Sequence, residues 1–141
     1  MLKVGTILLT VCVIFAFVYG LLLAISPSTF VGSTLEARGE TFEAAKDTGV
    51  GQAFIIQTRH LGVFGVCISI ALFFVIFNGF NKGAKWAWWA FLIVGGIGWV
   101  YGLILQIMEA DMLNMLLHII GIVIMALGLL LPVKEFFAKK A

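Results

Sequence analysis

Four runs of about twenty apolar residues take up most of this chain, and that is the length an α-helix needs to cross about 30 Å of hydrocarbon at about 1.5 Å per residue. The runs decide the solvent before any motif is considered. With 62% hydrophobic and 11% charged residues over 141 positions, the chain has too little polar surface for a water-soluble domain, in which about a quarter of residues are charged. The pattern predicts an all-α fold: a four-transmembrane-helix bundle with spans over residues 4–25, 53–80, 86–108 and 112–131 and short interfacial helices in the first outer loop. The whole chain is then a single integral membrane domain, 1–141.

The first run, Val4 to Ile25, follows Lys3, and Ala24-Ile25-Ser26 has the look of a signal-peptidase site. The run is too long for that reading, since a signal core spans about 7 to 15 residues. Cys12, Ala16, Gly20 and Ala24 recur every four positions, a stripe of small side chains that lets a neighbouring backbone approach closely. Gly98 and Gly102 form a GxxxG pair with the same expectation. Gly95-Gly96-Ile97-Gly98 follows no strand, so a phosphate-cradling role is excluded.

Pro27 closes the first run, and the chain then turns polar through Glu36, Arg38, Glu40, Glu43, Lys46 and Asp47. Ser33 and Glu36 have capping-box spacing, Thr41 to Lys46 suits a short helix with Phe42 and Ala45 on one side, and Gly49 and Gly51 predict a break before the second span. Trp86, Trp88 and Trp89 beside Lys82 and Lys85 predict a membrane interface. Pro132 stops the fourth run, and the tail of Phe136, Phe137, Lys139 and Lys140 is expected along the membrane surface.

Charge placement gives an orientation. Lys3, Lys82, Lys85, Lys134, Lys139 and Lys140 fall on the side of the termini, against Arg38, Lys46 and Arg59 on the other. The positive-inside rule then predicts both termini in the cytoplasm, with a prokaryotic cytoplasmic membrane as the setting. Nucleic acid is excluded as a partner because no basic stripe lies outside the spans.

That topology brings polar residues to a similar depth near the outer face: Gln57, Arg59 and His60 on the second span, Gln106 and Glu109 on the third, and Asp111, Asn114 and His118 on the fourth. Asp111, Asn114 and His118 fall at i, i+3 and i+7, on one helix face. Polar groups are expensive in hydrocarbon and turn toward one another, so Arg59 is expected to pair with Glu109 or Asp111, and His118 to bond Asn114 or the second helix. The layer has three readings: a register-fixing network, a small-molecule or proton site, and a haem b held between His60 and His118 as axial ligands. No catalytic constellation and no metal-ligand spacing appears. Thr10 and Ser69 are expected to bond the carbonyl four residues back, and Cys12 and Cys67 to behave as small hydrophobes.

Pro27 at the end of the first span, Arg59-His60-Leu61-Gly62 in the second and Lys82-Gly83-Ala84-Lys85-Trp86-Ala87-Trp88 before the third resemble the layout of DoxX-like four-helix membrane proteins. The resemblance implies a small bundle that in some cases accompanies membrane redox enzymes, with Arg59 as a shared polar anchor, and it supplies no catalytic residue. The expected function is therefore that of a non-enzymatic membrane protein, an accessory subunit of a larger complex or a self-assembling homo-oligomer, with bound lipid. The alternatives are a redox or ligand-binding protein using the polar layer, and a transporter assembled from several copies.

Overall fold

The computed structural model describes residues 1–36 and 39–137, the side chain of Ser33 excepted. Its described elements are all helical: α1 Leu2–Ile25, α2 Ser28–Glu36, α3 Phe42–Ala45, α4 Gly49–Asn78, a 3-10 turn Phe80–Lys82, α5 Lys85–Ala90, a π turn Phe91–Gly95, α6 Gly96–Glu109, α7 Met112–Leu130 and α8 Val133–Phe137. Four helices are long and apolar enough to cross a membrane: α1, α4 with its following turn, the continuous run from α5 through α6, and α7. Large apolar side chains are exposed all along them, among them Ile25, Phe64, Phe74, Ile97 and Leu130, as lipid requires and water penalises. These features are consistent with an integral membrane protein.

Hydroxyls inside the spans are satisfied locally. Thr6 donates to the Leu2 carbonyl at 2.9 Å, Thr10 to that of Thr6 at 2.8 Å and Ser69 to that of Gly65 at 2.8 Å. Each bond removes a donor from hydrocarbon without a tertiary partner.

Pro27 both ends α1 and begins α2, its carbonyl accepting from the backbone of Phe30 and Val31. Ser33 therefore lies inside α2 rather than at its start, and its side chain, on which the expected capping box depends, lies outside the described residues. Caps do appear later, where Thr41 accepts from Ala44 N at 3.2 Å and Thr48 from Gly51 N at 3.0 Å. The break predicted at Gly49 and Gly51 is instead the first turn of α4. A side chain on Gly51 would overlap the Ala45 carbonyl, so this glycine permits a close approach of α3 to α4. Ala45 packs there with Val31, Leu35, Phe42 and Phe54 in a small cluster beside the loop.

The helix α1 packs against α4 and α7, α6 packs against α7, and α4 meets the third span through α5. Gly20 and Gly62 make the α1–α4 crossing tight: a Cβ on Gly62 would stand 2.5 Å from Ala24 N and 2.6 Å from the Gly20 carbonyl. Part of the small-residue stripe is thus used inside the chain, with Cys12 donating to the Gly121 carbonyl of α7 at 3.7 Å.

The main core lies toward the end where both termini meet. Leu9, Ile76, Phe80, Trp88, Phe91, Met125 and Phe136 form it, and the Met1 amino group sits 3.8 Å from Glu135. Trp88 departs from the interfacial expectation, since it is buried and its indole donates to the Leu129 carbonyl at 3.0 Å, while Trp86 and Trp89 are exposed. The tail also departs from it: α8 turns Phe136 inward onto Phe80, ring centroids 4.7 Å apart. Arg38, Lys139 and Lys140 lie outside the described residues.

Candidate functional site

At the opposite end, α7 begins from a tight corner. Ala110 adopts a left-handed conformation (φ 55) that ends α6, and Asp111 caps α7 by accepting from Asn114 N at 3.1 Å. Reversing direction in so few residues needs a backbone excursion that an alanine adopts only under strain. The cap then becomes the centre of a buried cluster. The second Asp111 oxygen accepts from the Thr34 hydroxyl of α2 at 2.7 Å and from the Asn114 amide at 2.8 Å. Tyr19 of α1 donates to the Asn114 side-chain oxygen at 3.0 Å. One turn deeper, His118 Nδ1 donates to the Asn114 carbonyl at 2.8 Å.

Asp111, Asn114 and His118 are only 1%, 3% and 8% exposed, so the shared face predicted by their spacing is the inward one. A carbonyl only accepts, so Nδ1 must carry the proton, and a neutral His118 ring leaves Nε2 as a bare acceptor. The ring is wedged edge-on between Tyr19 and Trp99, with centroids 5.8 and 5.5 Å away. Its Nε2 edge lies over Gly102, where any side chain would overlap it. Gly102 therefore makes room for a histidine rather than for a helix backbone. Gly98 has open space around it, so the GxxxG pair does not form the expected helix contact.

That open space belongs to a cleft of about 330 Å³ between α4 and α6, floored by α1. Leu61, Phe64 and Ile68 line one wall, Trp99 and Tyr101 the other, and His118 closes it from behind. From Leu61 to Leu72 the cleft follows α4 for about 16 Å along the helix axis. A larger hollow of about 860 Å³ lies between α2, α3 and the start of α4, between Leu35 and Phe54.

The other predicted site residues are placed differently. Gln57, Arg59 and His60 are exposed. Arg59 makes no hydrogen bond or ion pair among the described residues, so the expected pair with Glu109 or Asp111 is not formed. The length of α4 gives the reason: its 30 residues run about 45 Å, and Arg59 lies about 28 Å from Asn78, close to one hydrocarbon thickness away. With Asn78 at one face of the hydrocarbon, an arginine that far along the helix would reach water without turning inward. His60 is equally high and does not line the cleft, so the structure does not bring His60 and His118 to a common space for a haem. Gln106 is half-buried, with its side-chain oxygen enclosed and unbonded among the described residues, and Glu109 is half-buried beside the corner. Among the described residues no cluster of three or more metal-ligating side chains occurs.

Sequence reasoning missed Tyr19 and Thr34. A tyrosine hydroxyl one position from Gly20 in the tight stripe was a usable signal, since a phenol inside a span needs a partner. Thr34 gave none, because nothing local ties a loop-helix threonine to a residue 77 positions away. Comparison with family models, curated proteins and solved structures finds no match for this chain, so its own geometry carries the functional reading.

Proposed function

We propose that this chain is a non-enzymatic, lipid-embedded binding protein that holds an apolar molecule in the cleft between α4 and α6. In this reading the four spans form a bundle, both termini face the cytoplasm of a prokaryotic cell, and α2 and α3 lie at the outer interface. The observation that carries it is the sideways-open cleft itself. Its walls are apolar and aromatic, a buried histidine stands at its back, and its volume of about 330 Å³ falls in the lower range of small-molecule sites. The accessory-subunit reading draws on the absence of a catalytic constellation and on the small-residue stripes of the first and third spans, and in the first of these Gly20 and Cys12 are engaged by α4 and α7. What remains for a partner is the general apolar surface, which lipid covers equally well.

The test uses the open space at Gly98. A Cβ added at Gly98 meets nothing within 4 Å, so a leucine there has room to extend into the cleft, and replacing a helical glycine favours folding by about 1 kcal/mol. The full chain is reconstituted in nanodiscs containing lipids with brominated acyl chains, and tryptophan quenching is read as the difference between the wild type and Trp99→Phe. Strong quenching of Trp99 in the wild type, lost in Gly98→Leu, is expected. Equal quenching in both would refute occupancy of the cleft.

A further inference from the structure

Within the cleft, the polar groups are not equivalent. The Tyr19 hydroxyl is committed to Asn114 and the Ser69 hydroxyl to the Gly65 carbonyl. His118 is more than nine-tenths buried, spends Nδ1 on the Asn114 carbonyl, and its Nε2 has no hydrogen-bond partner among the described residues. An imidazolium would point an unpaired charged donor into apolar walls, so the neutral ring with an acceptor at Nε2 suits the cleft. An acceptor in such a place selects for a donor.

Depth sharpens the selection. His118 lies seven residues along α7 from Asp111, about 10 Å below the start of the span. At that level an ordinary acyl chain is hydrocarbon only, and a hydroxyl there finds no water to bond. Toward the terminal end the cleft continues past Trp99, Ile68 and Leu72, room for more apolar chain beyond the donor.

Resting on the cleft-binding reading, we infer that the occupant is a neutral lipid bearing a hydroxyl within its apolar body, roughly 10 Å from its polar head, which donates to His118 Nε2. A fatty-acid anion is disfavoured on the same geometry, because a carboxylate offers no donor and brings an uncompensated charge. Gly102 is the specificity-determining neighbour, since any larger residue would cover the Nε2 edge.

The test displaces the brominated chains from Trp99 in nanodiscs with two probes, a stearate methyl ester hydroxylated at mid-chain and the same ester without the hydroxyl. The hydroxylated ester is expected to displace at about tenfold lower mole fraction, the ratio that about 1.4 kcal/mol yields, and His118→Phe should close the gap. A second measurement needs no variant. In nitrogen-15-labelled wild type, the Nε2 resonance of one of the two histidines should move with the hydroxylated ester and stay with the plain one. Equal displacement by both esters, or an unmoved Nε2 resonance while displacement occurs, overturns the hydroxyl assignment and leaves the cleft reading intact. Displacement by neither removes the cleft reading with it.

Discussion

Asp111 joins α2 to α7 through Thr34 and Asn114, and Asn114 in turn holds Tyr19 of α1, so its removal should be felt well beyond one helix cap. In Asp111→Ala the α7 cap is lost, which costs about 1 kcal/mol. The Asn114 amide loses its carboxylate acceptor while buried, a penalty of about 1–3 kcal/mol. The Thr34 hydroxyl falls back on its weaker contact with the Phe30 carbonyl at 3.4 Å, which limits its share. Together these give a destabilisation of about 2–4 kcal/mol. Reversible unfolding by a denaturing detergent, followed by circular dichroism, measures it. Thr34→Val sharpens the test as a double-mutant cycle, because its cost should fall by about 1 kcal/mol or more in the Asp111→Ala background if the hydroxyl–carboxylate bond is a coupled pair. A loss under about 0.5 kcal/mol for Asp111→Ala, the range of an uninvolved surface residue, would refute the reasoning.

Other outcomes follow from the same geometry. Gly62→Ala places a methyl against backbone at 2.5–2.6 Å and should cost about 3 kcal/mol or prevent accumulation, whereas Gly98→Ala should be neutral or stabilising by up to about 1 kcal/mol; the same detergent titration compares them. Ala110→Gly relieves a positive φ and should raise stability by about 1 kcal/mol, read as a shift in the unfolding midpoint. Arg59→Ala should change stability by less than about 0.5 kcal/mol, because the side chain is exposed and makes no described contact; a large loss would show that it is held by the protein.

The spans were legible because lipid imposes one rule, a run of apolar residues long enough to cross, and Leu2–Ile25 and Met112–Leu130 lie close to where that rule places them. The start of α4 was not, since a glycine such as Gly51 reads the same whether it breaks a helix or admits a neighbour, and only the position of the Ala45 carbonyl decides. The spacing of Asp111, Asn114 and His118 revealed a shared face, and burial gave it a direction. Their partners Thr34 and Tyr19 were hidden by 77 and 95 positions of intervening chain. Arg59 misled for a different reason: the cost of a charge in hydrocarbon applies only within the hydrocarbon, and α4 is long enough to carry an exposed Arg59 about one hydrocarbon thickness away from Asn78.

With 19 residues, α7 reaches about 28 Å, barely one hydrocarbon thickness, while α4 has length to spare. The shorter helix is fastened at one end by the Asp111 cap and at the other by Pro132, which is buried against α1, so it has little freedom to tilt or lengthen. A thicker bilayer must therefore pinch around α7 or pull on its cap.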